Sequence, residues 1–204
     1  MSFKIRTIGK QTHASTPSKG LNAHRAGMAY ALALDASLHA KYSAKDERFV
    51  PPESTFEPTK KDRNVAAVNI IPGEDLIYFD CRVLPEYNLD EILSDSYGTA
   101  EKFEREYEGA RIKIELLSKT AAPKPTDPNS AVVHALKEAI QTARRIEPRV
   151  GGIGGGTCAA FFRKAGIPAV AWSTIDETAH QPDEYAKVEN LLNDAKVFAF
   201  LGTQ

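Results

Sequence analysis

Three short runs in the first 118 residues alternate apolar with polar or charged side chains, and two amphipathic stretches lie between them. That ordering leaves the chain few ways to fold. FKIRTIG near the start alternates as a half-buried strand does. From Asn22 to Tyr42, the residues Ala31, Leu34, Leu38 and Tyr42 recur at helical spacing. The Pro51-Pro52 pair breaks the chain, and STFEPTK reads as a strand interrupted by its proline. NVAAVNII and DLIYFDCRVL are joined by Pro72-Gly73-Glu74, which predicts a tight turn and an antiparallel pair. In the second of these, Ile77, Phe79, Cys81 and Val83 point one way and Tyr78, Asp80 and Arg82 the other. Leu89, Ile92, Leu93, Ala100, Phe103 and Tyr107 mark a second helix, despite Gly98 in its middle. RIKIELL closes the unit with Ile112, Ile114 and Leu116 on one face. Strand-helix-strand-strand-helix-strand is the order of an α+β ferredoxin-like sandwich with helices on one sheet face. Its other face is open and partly polar, a place for a binding surface.

AAPKPTDPNS, with three prolines, is the expected linker, dividing residues 1–120 from 121–204. Beyond it the pattern changes to α/β. Asn129 or Ser130 can cap a helix carrying Val133, Leu136 and Ile140. PRVGGIGGG runs from a short strand into a glycine loop, and TCAAFFRKAG is a helix ending at Gly166. IPAVAW reads as a strand buried on both faces. The last helix is expected to turn Val188, Leu191, Leu192, Ala195 and Phe198 inward. Two doubly buried strands need neighbours that this segment does not supply, so the α/β unit reads as incomplete.

Composition narrows the class without naming a chemistry. A formal net charge of −1 gives no electrostatic case for nucleic acid or an anionic membrane as partner. No apolar run approaches the roughly 20 residues that span a bilayer, and MSFKIRTIGK lacks an apolar signal region. Two cysteines, Cys81 and Cys158, make no disulfide framework and suit a reducing cytoplasm.

The glycine loop Gly151-Gly152-Ile153-Gly154-Gly155-Gly156-Thr157 sits where a strand is expected to pass into a helix. Its backbone N–H groups either bind an anion or simply make a tight crossover. It lacks the Lys-Ser/Thr of a P-loop, and Thr157 replaces the third glycine of a dinucleotide fingerprint counted from Gly152. His180 stands in the acidic loop Asp176-Glu177-Thr178-Ala179-His180-Gln181-Pro182-Asp183-Glu184, just past an expected strand. It is either a surface histidine or one metal ligand, since zinc wants three or four protein donors and no HExxH or CxxC occurs. His13 follows the first strand among small residues, as an exposed loop histidine or as a donor to a developing oxyanion. Arg82 either clamps a substrate carboxylate or pairs with Asp80. His24, His39 and His134 fall on expected helices and read as structural or solvent-facing. Cys158 opens a helix, where a thiolate is favoured, but no histidine base stands beside it.

Four segments together, GKQTHASTPSKGLNA, VNIIPGEDLIYFDCRVLP, GGGTCAAFFRKAGIPAV and AHQPDEY, resemble the zinc aminoacylase/carboxypeptidase family. That family includes succinyl-diaminopimelate desuccinylase, acetylornithine deacetylase and glutamate carboxypeptidase. The resemblance implies a ferredoxin-like lid that makes a homodimer, joined to the C-terminal part of a zinc-binding α/β domain. It implies His180 as the last metal ligand, and Gly155, Gly156 and Thr157 as the loop meeting the substrate's carboxylate. It implies His13 as the lid histidine that reaches the partner subunit's site, and Asn69 and Arg82 as substrate contacts. Cys158 stands where many members carry Asp or Ser.

The family's upstream half, with a metal-binding histidine, a bridging aspartate and adjacent glutamates, has no counterpart in these residues. The expectation is therefore part of a cytoplasmic, dinuclear-zinc amidohydrolase or metallopeptidase. Its substrates would be N-acyl amino acids or small peptides, and the missing catalytic half would come in cis or in trans. The chain alone is expected to hold zinc weakly and to be inactive. The alternatives are a non-catalytic dimerisation module and one chain of a split enzyme.

Overall fold

The computed structural model describes residues 1–203, which form two compact units, 1–121 and 122–203. In the first, strands β1 (Ser2–Ile8), β3 (Thr55–Lys61), β5 (Glu74–Arg82) and β6 (Arg111–Ser118) make one antiparallel sheet in the order β3-β5-β1-β6. Helices α1 (Ala23–Lys41) and α2 (Leu89–Glu106) complete a ferredoxin-like β-α-β-β-α-β unit. Two short strands outside this sheet, β2 (Thr12–His13) and β4 (Ile70–Ile71), pair with each other.

The period-2 pattern decides which face is covered. Phe3, Ile5, Phe56, Ile77, Phe79 and Cys81 are buried and share one core with Tyr30, Leu34 and Leu38 of α1 and Ile92 and Ala100 of α2. Phe3 and Phe79 are register partners, and their rings stack with centroids 5.3 Å apart. Burial pushes the Cys81 thiol up to about 12, so it acts as a small apolar side chain and not as a nucleophile. The opposite face carries polar pairs: Lys4 with Glu115 at 2.7 Å, Arg6 with Glu74, and Tyr78 donating to Asp62 at 2.6 Å.

Asn22 caps α1 by accepting from the Arg25 N–H, and Asn88 caps α2 through Asp90. Three bonds tie the helices together. The Tyr30 hydroxyl donates to the Ser96 carbonyl at 2.8 Å, and Asp95 accepts from Lys41 at 2.6 Å and from the Tyr42 hydroxyl. Pro58 lies on β3, an edge strand, where its missing N–H breaks no ladder bond; the register shifts between Pro58 and Lys60.

One strand pairing differs from expectation. NVAAVNII does not pair with DLIYFDCRVL; only Ile70 and Ile71 of it are strand, and their partner is Thr12–His13. The two sides of β5 are taken by β1 and β3, which leaves it no free edge for that segment. Leu116, expected inward with Ile112 and Ile114, is 39% exposed at the end of an edge strand.

The second unit holds helices α3 (Ala131–Arg144), α4 (Ala159–Lys164) and α5 (Val188–Leu201). Its core is Ala139, Ile140 and Val197, backed by Leu136, Ala143, Trp172 and Phe200. The segments PRVGG and IPAVAW, expected as strands, are not paired into any sheet among the described residues. Val188, Leu191, Leu192 and Phe198, expected on the inner face of α5, are 55–70% exposed, and Val197 is buried in their place. The cause is the shortage of neighbours: a doubly buried strand and a helix with two apolar stripes need more layers than these residues provide.

Burial pushes the Asp95 carboxyl up, but its bonds from Lys41 and Tyr42 outweigh this and hold it below its ordinary value of 3.8. A lowered folded-state pKa gives stability that is complete above the ordinary value and lost as pH falls through the folded one. Urea midpoints of the first unit between about pH 6 and about pH 2 should therefore drop on acidification, with a shallower drop in Asp95→Asn. Parallel acid limbs would show that Asp95 contributes nothing.

Candidate functional site

The β2–β4 ladder forms an arm on the first unit that carries two of the expected site residues. The chain leaves β3, runs through residues 62–69, and returns through β4 and Pro72-Gly73 into β5. His13 is opposite Ile70, and the Ala14 N–H donates to the Asn69 carbonyl at 2.8 Å. His13 and Asn69 are both exposed, with Asn69 Nδ2 and His13 Nε2 3.4 Å apart. At the root of the arm, the Gly9 N–H donates to the Gly73 carbonyl at 2.8 Å. A Cβ on Gly73 would come 2.9 Å from the Gln11 nitrogen, so this close approach requires glycine.

The hydrogen bonds at His13 fix its tautomer. The Ser15 backbone N–H, which can only donate, points to His13 Nδ1 at 3.1 Å, and the Ser15 hydroxyl lies 2.7 Å from the same atom. Nδ1 is therefore the acceptor, and the proton of the neutral ring sits on Nε2. The Asn69 amide faces that N–H with its Nδ2 at 3.4 Å, and only with the amide turned over would its oxygen be there to accept. The arrangement can donate one hydrogen bond from Nε2 to an incoming oxygen, as stabilisation of an oxyanion requires.

Arg82 is not brought to this arm. It lies at the far end of β5 from Glu74, about 26 Å away at the usual strand rise, exposed and paired with Asp80.

In the second unit Gly155 and Gly156 are exposed just ahead of α4, and Thr157 is half-buried. A Cβ on Gly154, Gly155 or Gly156 would meet nothing within 4 Å, so no packing in this chain demands glycine there. Cys158 takes the position before α4 and is exposed, with no side-chain cap.

His180 is exposed, at a left-handed φ of 63°. Its loop is held by its own bonds: the His180 N–H donates to Glu184 at 3.1 Å, Gln181 Nε2 to the Glu177 carbonyl at 2.8 Å, and Lys187 pairs with Asp176 at 3.1 Å. The loop's start is pinned more firmly. Asp194 on α5 accepts from the Thr174 N–H at 2.8 Å and from its hydroxyl at 2.7 Å, while Arg144 at the end of α3 donates to the same hydroxyl at 2.8 Å. Residue matching does not single out Asp194 and Arg144; the available signal is two charged residues interrupting helices that are otherwise amphipathic.

Zinc requires three or four protein donors close together. Among the described residues no three His, Cys, Asp or Glu side chains converge in that way, His180 included. The donor set present does not fit a complete metal site.

Comparison with known proteins gives the family of the first unit. Residues 1–108 match the peptidase dimerisation domain of the M20 family. The chain is 38% identical to a metallohydrolase of Methanocaldococcus jannaschii over 204 residues, covering 96% of this chain and 50% of that protein. It is 29% identical to a succinyl-diaminopimelate desuccinylase of Nitratiruptor over 189 residues, covering 92% of this chain and 48% of that one. The dipeptidase Dug1p of Saccharomyces cerevisiae superposes with a TM-score of 0.76 at 14% identity, covering 98% of this chain and 53% of that chain. A metallo-carboxypeptidase of Sulfolobus solfataricus gives 0.65 at 14% identity, with 98% and 57% covered. At such identities these structures show the fold alone. The first unit is thus a peptidase dimerisation domain. The chain belongs to the M20 peptidase dimerisation domain family, whose relatives here include metallohydrolases. It spans about half the length of the curated relatives it matches.

Open space around Gly156 gives a direct test of why glycine stands there. Gly156→Ala should leave stability unchanged or raise it by up to ~1 kcal/mol in chemical denaturation, because the variant restricts the unfolded chain without a clash. A loss larger than ~1 kcal/mol would mean the loop is packed within this chain.

Proposed function

We propose that these residues are the lid and C-terminal catalytic segment of a zinc-dependent amidohydrolase or metallopeptidase. Its substrates are N-acyl amino acids or small peptides; the desuccinylase relative is named for removing a succinyl group from succinyl-diaminopimelate. The observation that carries this reading is the unfinished surface of the second unit. Val188, Leu191, Leu192 and Phe198 of α5 and Phe161 and Phe162 of α4 are all more than half exposed, and two apolar extended segments lack sheet partners. Apolar surface on that scale marks a face made to be covered. Further polypeptide of a catalytic domain, in cis or as a separate chain, would supply both that cover and the remaining metal donors.

In this reading His180 is one ligand of a site whose other donors lie outside these residues. Zinc there would supply Lewis acidity and an activated water. The chain's own residues do the rest. His13 of one copy donates a hydrogen bond from its Nε2 N–H to the developing oxyanion at the partner copy's site, with Asn69 beside the ring. The N–H groups around Gly155, Gly156 and Thr157 receive the substrate's carboxylate, and Arg82 gives a further anionic contact once freed from Asp80.

The purified chain is expected to retain less than one zinc per molecule after dialysis and to leave N-acyl amino acids unhydrolysed. Tight stoichiometric zinc together with turnover would overturn the incomplete-site reading. In a complex with the missing donors restored, His13→Ala should lower kcat by about 10²–10³-fold with metal content unchanged. A reconstituted complex that binds zinc yet never turns over would favour a non-catalytic dimerisation module, the reading suggested by the well-packed first unit.

The homodimer belongs to the same proposal. Light scattering should give about twice the 22.3 kDa chain mass, and a truncation to residues 1–121 should stay dimeric. A strictly monomeric chain at high micromolar concentration would argue against assembly through the first unit.

A further inference from the structure

Asp75 is the one charged side chain placed wholly inside the sheet–helix layer of the first unit. It occupies the covered phase of β5, in the series Asp75, Ile77, Phe79, Cys81, and its carboxylate is fully buried. Burying a carboxylate is costly unless donors surround it. Two donors do so here, and both come from the outgoing end of the excursion that carries the arm. Lys61, the last residue of β3, ion-pairs with Oδ2, and Asn64 Nδ2 donates to Oδ1 at 2.6 Å. Asp75 itself lies just beyond the returning end. One carboxylate therefore joins the two feet of residues 62–73.

The surroundings are shaped for it. A Cβ on Gly27 of α1 would come 2.9 Å from Asp75 Oδ2 and 3.1 Å from Thr7 Oγ1, so glycine there leaves the carboxylate its space. His24 of α1 approaches with Nδ1 3.4 Å from Oδ1. The outgoing foot is held at Asp62 as well, whose N–H donates to the Leu76 carbonyl at 3.3 Å and whose carboxylate accepts from the Tyr78 hydroxyl at 2.6 Å; beyond it Arg63 bonds to the carbonyls of Val65 and Ala66 in its own loop, and Val68 is wholly exposed. The excursion's next fixed point is the tip, where Asn69 meets Ala14 and His13.

We propose that Asp75 is a positioning residue for the His13–Asn69 pair, acting through Lys61 and Asn64. A buried ion pair is weak evidence for added stability, because apolar replacements often do as well. The informative fact is where the partners stand. Neither belongs to the core: Lys61 ends the strand from which the excursion leaves, and Asn64 lies within the excursion that delivers Asn69. The consequence for catalysis rests on the role given to His13 and Asn69 above, whereas the geometric claim is independent of it.

The test is amide exchange and histidine-ring NMR on the full chain, comparing wild type with Asp75→Asn, Asn64→Ala and a control, Ser96→Ala. The control removes a bond to the Ile92 carbonyl within α2. In the Asp75 and Asn64 variants, the Ala14 amide should exchange at least ~10-fold faster and the His13 ring ¹H–¹⁵N signals should move, while Ile5 and Phe79 amides stay within about twofold of wild type. The control should leave His13 unmoved. If Asp75→Asn fails to fold, Asn64→Ala decides alone, since Asn64 lies in the loop. Unchanged Ala14 exchange and unmoved His13 signals in Asn64→Ala would overturn the proposal, as would an equal movement of His13 in the control. Neither readout depends on activity, so a failed reconstitution would count against the proposed function and not against this one.

Discussion

The antiparallel ladder between β1 and β5, running from Ser2↔Asp80 to Ile8↔Glu74, is the constraint on which the first unit depends. Both strands are central, so each has neighbours on two sides. A slip of β1 by one residue would send Phe3 and Ile5 to the polar face and bring Lys4 and Arg6 under the helices. The stacked Phe3–Phe79 pair and the helix ties at Ser96 and Asp95 all presuppose this register. So does the arm, because β5 begins where the arm ends.

The elements legible in the sequence were those whose partners lie within these residues. Period-2 alternation in FKIRTIG and DLIYFDCRVL marked β1 and β5, and Asn22 and Asn88 stand at the caps where α1 and α2 begin. Pairing was less legible than strand existence. NVAAVNII has strand composition, but β1 and β3 outcompete it for β5, and only its last two residues pair at all. Propensity is local, whereas pairing is a competition among all strands for the same edges. Asp75 was the strongest unused signal, an acidic residue in phase with Ile77, Phe79 and Cys81.

The second unit fails differently. IPAVAW and the apolar stripe of α5 have the composition of buried elements, yet IPAVAW pairs into no sheet among the described residues and Val188, Leu191, Leu192 and Phe198 are exposed. The sequence pattern records the environment for which these residues are suited, and that environment exceeds what residues 122–203 provide. Where the contacts are internal, as at Arg144, Thr174 and Asp194, the local structure is well defined, and the His180 loop starts from a fixed point.

The contact from Ser15 to His13 Nδ1 bears on which substitutions this arm can accept. The group that sets the imidazole proton is a peptide N–H, so any residue at position 15 preserves it except proline. The hydroxyl of Ser15 is an addition to that bond, and the other residue types at the position are interchangeable in this respect. A comparison that scores side-chain identity would rank Ser15→Val as the change and Ser15→Pro as another of the same kind. For the ring they are opposites: one leaves its protonation pattern written in the main chain, and the other erases it.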